Sequence, residues 1–461
     1  MSVLVTPDPH WWRPEPEQTA MGATAATGDA EGLSEPVRAE GAGSPVPFWA
    51  LMGFTFVLLI APQNLVPALR PLRLGMLAAG IGLAALLLDR IGRDLPIITV
   101  TREAKLAGAL LAWAILTVPF SYWPGGSVGL LLDLYLKTLA IFILIINAVT
   151  TEDRLRRAVW GLIVMTVPAA TVGLLNFTSG AYVRGGMDQV VKRILGYEAP
   201  LTQNPNDLAL ILNLMLPLTA ALFLITSSAA LRGLLFGIAT LQLVGIVVTF
   251  SRGGFLTLAV TLVVTALTAS GRLDRRWAWG FLILVIAAAP LLPADYVSHL
   301  FTIADVDTDP TGSAQQRWAQ QVAGVGYVLG HPLVGAGIGQ NVLAMNEILG
   351  PAWLMVHNAY LEYAIDLGLP GLILYVLLIV ASIRSAGQAA RLAANRPDGR
   401  RLALLANGIR TSLLAFSVAA FFSPVAYHFH LYYFAGLAIA ARVMVQGDAS
   451  AEPAEPTADQ P

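Results

Sequence analysis

Apolar stretches of about the length needed to cross a bilayer recur through this chain, near 47–66, 72–89, 104–121, 128–149, 157–175, 207–226, 231–250, 253–270, 277–293, 359–383, 402–423 and 428–446. No other feature constrains the fold so strongly. Crossing the hydrocarbon takes roughly 20 mostly apolar residues. With no water there, backbone polar groups must be satisfied within each segment, which makes each one a helix. The pattern predicts an all-α integral membrane protein with about twelve transmembrane helices over residues 47–446. Composition agrees: 56% of residues are hydrophobic and 12% charged, the latter about half the share of a soluble domain.

A formal net charge of -1 argues against a nucleic-acid partner, because neutralising phosphates needs a basic surface. The absence of cysteine excludes disulfides and thiolate metal sites. Residues 1–46 are rich in Pro, Glu, Ala and Gly. They lack the basic start and apolar core of a signal peptide, and they read as a disordered tail, as do residues 447–461. Cytoplasmic loops collect Lys and Arg. With the N-terminus inside, 19 basic residues fall on the cytoplasmic side and 7 outside. Both tails are then expected to be cytoplasmic and the long polar excursion at 294–358 to face outward. No internal repeat stands out, which weighs against repeat-built transporters.

The outward elements concentrate the polar residues. In KRILGYEAPLTQNPNDLAL, Asn204, Asn206 and Asp207 lead into a span, and N-capping accounts for most of the signal at Asn206 and Asp207. Capping leaves Arg193 unexplained. In TFSRGGFL, Arg252 stands in a short turn with Gly253 and Gly254, which let the backbone bend closely. It reads equally as an arginine snorkelling to headgroups or as a bidentate phosphate ligand. Within the long loop, a helix is expected from about Ser313 to Leu329, with Arg317 and Trp318 in its first turns. An interfacial amphipathic helix and a ligand role are both open for it. GAGIGQN lacks the preceding strand of a nucleotide fingerprint. The run Asp305, Asp307, Asp309 is followed by Pro310 where a calcium loop wants glycine, so it reads as a solvated acidic loop.

The loop closes on MVHNAYLEYAIDLGLPG, with His357 and Asn358 before a helix carrying Tyr360, Glu362 and Asp366. A histidine at a membrane boundary is commonly interfacial, yet neutral imidazole is also the natural general base near neutral pH. His331, His428 and His430 fall toward the same face without zinc-like spacing. Within the spans, Asp133 and Lys137 are four apart and can pair. Charges inside a span are costly and mark function unless mutually neutralised. Arg410 has no obvious local partner.

The strings NPNDLA at 204–209, SRGG at 251–254, Arg317-Trp318 leading to HPLVGAGIG at 331–339, and HNAYLEYAIDLGLPG at 357–371 resemble, in this order, the O-antigen ligase and O-antigen polymerase superfamily of bacterial envelope glycosyltransferases. The resemblance covers roughly residues 192–380. It implies a helical bundle of the glycosyltransferase class C kind in the bacterial inner membrane, with its active site facing the periplasm. It also implies transfer of a glycan from an undecaprenyl-diphosphate donor to a lipid A-core or glycan acceptor hydroxyl, without a cofactor or bound metal. On this reading His357 is the general base, Arg252, Arg317 and Arg193 hold the diphosphate, and Asn358, Glu362, Asn204, Asn206, Asp207 and Lys137 support the site. The displacement would be inverting, and the leaving diphosphate would be stabilised by fixed cations. Three other readings stay open: a repeat-unit polymerase for O-antigen or exopolysaccharide, a secondary transporter, for which Asp133, Lys137 and Arg410 speak, and a non-catalytic scaffold.

Overall fold

The computed structural model describes residues 43–184, 190–268, 276, 279–280, 283, 313–351, 353 and 355–451. The tail before residue 43, most of the apolar stretch 277–293 and the acidic run at Asp305, Asp307 and Asp309 lie outside the described residues. The remaining expected spans each coincide with a helix: α1 (Val46–Ile60), α2 (Leu74–Gly92), α3 (Arg102–Thr117), α4 (Pro124–Ala148), α5 (Glu152–Ser179), α6 (Pro205–Ile225), α7 (Ala229–Val248), α8 (Arg252–Thr268), α11 (Ala359–Ala394), α12 (Arg400–Ala419) and α13 (Phe429–Ala451). Among the described residues, eight helical segments are long and apolar enough to cross a membrane, while α1 and α8 are shorter apolar helices. The long loop contributes α9 (Ser313–Gly330), on the stretch expected to be helical, and α10 (Asn341–Leu349). A short antiparallel hairpin, β1 (Tyr182–Arg184) with β2 (Val190–Ile194), joins α5 to α6.

Helix starts follow capping chemistry. Thr101, Thr151, Asn204, Ser228 and Asn358 each accept a first-turn N–H with their side chains at the heads of α3, α5, α6, α7 and α11. Gly180 closes α5 in the left-handed conformation, φ 73°. α6 and α12 form the centre of the bundle. In α6, 78% of the most apolar window is buried inside the protein, against 11% for the segment ending in α2, which therefore presents its side chains outward. α12 packs on α6, α8, α11 and α13, and these helices share one core.

α4 is interrupted by a π turn at Leu131–Tyr135, and α11 is broken at Gly368 (φ 68°, ψ -173°). The break frees carbonyls that the loop then occupies. Ala336 N–H donates to Ile365 O (2.7 Å), Gly337 N–H to Asp366 O (2.8 Å) and the Trp113 indole to Leu367 O (2.8 Å), while Leu369 N–H donates to Pro332 O (2.8 Å). A small apolar cluster including Tyr327, Ala336, Met345, Val356 and Ile365 seals α9 and α10 onto α11. The glycines of GAGIG therefore serve docking. Gly335, Gly337 and Gly339 all have positive φ and sit against α11, Ser121 and Leu130.

Arg442 makes a bidentate pair with the buried Glu103 (3.2 and 3.1 Å) and also donates to Ser385 (2.9 Å). This tie joins α3, α11 and α13 at the end of the bundle away from the loop.

Candidate functional site

The start of α6 meets the start of α8. Asn204 is the cap: its side-chain oxygen accepts from Asn206 N–H (2.9 Å) and Asp207 N–H (3.0 Å), and its amide donates to Asp207 Oδ2 (2.5 Å). The capping expected of Asn206 and Asp207 thus belongs to Asn204, because only the residue before Pro205 has the extended backbone a cap needs. Asn206 is released to reach across, and its Oδ1 accepts the Ser251 hydroxyl at 2.9 Å. The Ser251 oxygen in turn accepts Gly254 N–H (3.1 Å).

The glycines of SRGG also differ from expectation. The bend lies one step earlier, at Phe250 with φ 53°, and Gly253 and Gly254 lie inside the first turn of α8. Their role is close approach. A Cβ on Gly254 would stand 2.6 Å from Ala209 Cβ, and one on Gly253 2.7 Å from Phe422 Cβ. Arg252, half-buried between them and Ser251, is held in this tight seam between α6, α8 and the α12–α13 connection.

A small cleft opens at the seam, and Asn206, Ser251, Gly253, Gly254, Arg317 and Ser423 line it. α9 thereby brings Arg317 to the residues of the α6 and α8 starts, while its neighbour Trp318 is 63% exposed on the other side. His357 and Asn358 arrive beside the same connection, since Ala359 N–H donates to Ala420 O at 2.7 Å and Tyr360 hydroxyl to Ser417 O at 2.8 Å. Asn358 is buried, and its side chain caps α11 by accepting Tyr360 N–H (3.0 Å) and Leu361 N–H (3.2 Å). His357 Nδ1 lies 3.0 Å from Met355 O. A carbonyl only accepts, so Nδ1 carries a proton, which leaves Nε2 as the basic nitrogen whenever the ring is neutral.

Further along α11, the buried Glu362 accepts Ala426 N–H (3.3 Å). Asp366 is fully buried, and its Oδ2 accepts Gly339 N–H (2.9 Å), the Tyr427 hydroxyl (2.9 Å) and Asn341 Nδ2 (3.5 Å). Asp366 is thus the point where loop, α11 and α13 connection meet, a role its place in the string DLGLPG signals through the adjacent glycine. On the loop side, Tyr122 donates to Glu347 (2.6 Å), and burial followed by that bond raises its pKa. Burial also lowers the pKa of His428 in the α12–α13 connection.

The other predicted residues belong to other elements. Lys137 pairs with Asp133 at 3.4 Å on the π turn, with side chains 43% and 85% exposed, and neither lines the cavity. Arg193 belongs to β2 of the hairpin between α5 and α6. Arg410 packs beside Gly387 of α11. Sequence reasoning did not single out Ser251 as the partner of Asn206, nor the α12–α13 connection as a wall. Neither carries a local signal, because both act through a contact between distant segments.

Apolar helices packed round α6 and α12, with polar residues gathered at the helix ends beside a folded loop, define a multi-pass membrane protein with a cavity at one membrane face. Residues 237–376 match the family model described as O-antigen ligase. The matched stretch runs from α7 into α11 and takes in SRGG, Arg317 and HNAYLEYAIDLGLPG, while NPNDLA lies before it. Over that stretch the chain is similar to the O-antigen ligase and polymerase superfamily. No curated protein matches the chain at a significant level.

Proposed function

We propose that this protein transfers a glycan from an undecaprenyl-diphosphate donor to an acceptor hydroxyl, as an O-antigen ligase, in the bacterial inner membrane with its site facing the periplasm. The observation that carries the reading is the cavity that gathers Asn206, Ser251 and Arg317 next to the docked His357-Asn358 corner. His357 Nε2 takes the proton of the acceptor hydroxyl, whose oxygen attacks the anomeric carbon. The bond from that carbon to the diphosphate oxygen breaks on the opposite face, giving inversion, and the diphosphate leaves with the electron pair. Arg252 and Arg317, joined by Arg193 from the hairpin, stabilise the charge that grows there, in a partly dry site where fixed cations act strongly. Asn204, Asn206 and Asp207 hold the α6 start against α8, and Asn358 and Glu362 hold the base. The reaction proceeds without a metal.

The test is transfer from a purified undecaprenyl-diphosphate glycan in liposomes containing EDTA. Wild type releases undecaprenyl diphosphate. His357→Ala loses about 10²–10⁴-fold, the span of a general base, and Arg252→Ala about 10²–10³-fold, as for removal of one oxyanion donor. Full activity of folded His357→Ala overturns the base assignment. The family match supports repeat-unit polymerisation equally, with the same displacement. A ladder of products names a polymerase, and one added glycan per acceptor a ligase.

A further inference from the structure

At the far end of α6 and α12 from the candidate site, the starts of α1, α5, α7 and α12 surround an open groove. With 21 residues at 1.5 Å each, α6 separates the two by about 30 Å, the thickness of the hydrocarbon layer. Arg156, Arg157 and Arg401 line the groove, and among the described residues no acidic one does. Asp153 lies alongside and is shared by Arg156 (2.8 Å) and Arg157 (2.5 Å), so one carboxylate serves two guanidiniums. The next cleft over, beyond Arg401, carries Glu152 and Asp398 with Arg400. The groove's walls are apolar, with Met52 and Met165 along them. Trp49, 57% exposed, and the half-buried Trp160 stand at its mouth. Gly161 also lines the groove, facing the Met52 side chain.

A cationic rim over an apolar trough at a membrane boundary matches one class of ligand. Guanidinium binds phosphate through paired donors, tryptophan rings sit at headgroup depth, and basic pockets between transmembrane helices hold anionic headgroups. We propose that this groove binds an anionic glycerophospholipid of the leaflet opposite the candidate site. Its phosphate lies among Arg156, Arg157 and Arg401, and one acyl chain runs along Met52 and Met165. The proposal does not depend on the transfer reading above.

The test uses the full chain in nanodiscs of phosphatidylcholine with increasing phosphatidylglycerol. Apparent Tm is measured, together with native mass spectrometry of retained lipid. In wild type, phosphatidylglycerol raises Tm and stays bound. Arg157→Gln with Arg401→Gln keeps the wild-type Tm in phosphatidylcholine alone and weakens phosphatidylglycerol binding about fivefold per arginine removed. Arg401→Lys alone, which keeps a positive charge, retains most of the response. Should the double variant not fold, Arg401→Gln alone carries the comparison. An unresponsive wild type, or variants that respond as wild type does, overturns the proposal. So does an equal rise in Tm with inorganic phosphate, which would make this a phosphate site and not a lipid site. Because the readout is lipid binding, either result leaves the glycan-transfer test untouched.

Discussion

Replacing Gly368 by alanine strikes the joint between α11 and the loop. The residue's φ of 68° and ψ of -173° lie where only glycine is at ease, and any other residue costs about 1–3 kcal/mol there. A Cβ would also stand against the Leu333 carbonyl and 2.9 Å from Pro332 O. Backbone carbonyls cannot swing aside as a flexible side chain can, so the loop must withdraw. Withdrawal breaks Leu369 N–H···O Pro332, Ala336 N–H···O Ile365 and Gly337 N–H···O Asp366, each worth about 0.5–1.5 kcal/mol net. Some of these re-form with water, which puts the total near 3–5 kcal/mol. Apparent Tm in detergent should fall by roughly 3–5 °C, and limited proteolysis between His331 and Asn341 should accelerate. Gly108→Ala in α3 is the control, because its Cβ meets nothing within 4 Å. Helix propensity there favours alanine by about 1 kcal/mol, so the control should be neutral or stabilising. If Gly368→Ala melts with wild type and the loop stays protected, the docking argument for the GAGIG glycines is wrong.

Glu103→Gln breaks a bidentate pair whose carboxylate is 1% exposed and should cost about 3–5 kcal/mol, with part recovered by adding Arg442→Met. Thermal melts of the two variants decide it. Asn206→Ala and Ser251→Ala each remove one side of a 2.9 Å bond. Their double mutant should be no worse than the poorer single, with a coupling of about 1 kcal/mol in a transfer-rate cycle; strict additivity would show that the bond does not organise the cavity. Lys137→Met leaves Asp133 alone within a span, where a charge costs about 2.5–3.5 kcal/mol. It should therefore melt below Asp133→Asn with Lys137→Met, and the reverse order would mean that the pair is not what matters there.

The spans were legible because a bilayer permits few alternatives: any apolar run of sufficient length must satisfy its own backbone, and composition alone reports that. Cap signals and the helix at Ser313 were equally local, since they depend on neighbours within a turn. The breaks in helices were not. Leu131–Tyr135 reads as ordinary helix in the sequence, and the π turn appears only in the fold. Gly368-Leu369-Pro370 warns of an interruption but does not say that Pro332 to Gly337 will fill it.

For the site, the sequence supplied the strings and their chemistry: arginines able to hold phosphate, a histidine able to accept a proton, glycines where chains approach. It determined that these residues sit at helix ends, because charged and polar side chains are expelled from the apolar interior of a span. Only the tertiary structure decided which ends meet. It brought Asn206 to Ser251 across 45 residues and Arg317 to both, and it left Lys137 paired locally with Asp133, apart from the cavity. Hydrophobic pattern fixes each helix against the membrane one at a time. The order of helices round α6 and α12 depends instead on side-chain fit between segments far apart in the chain, such as Gly254 against Ala209, and that information has no period to read.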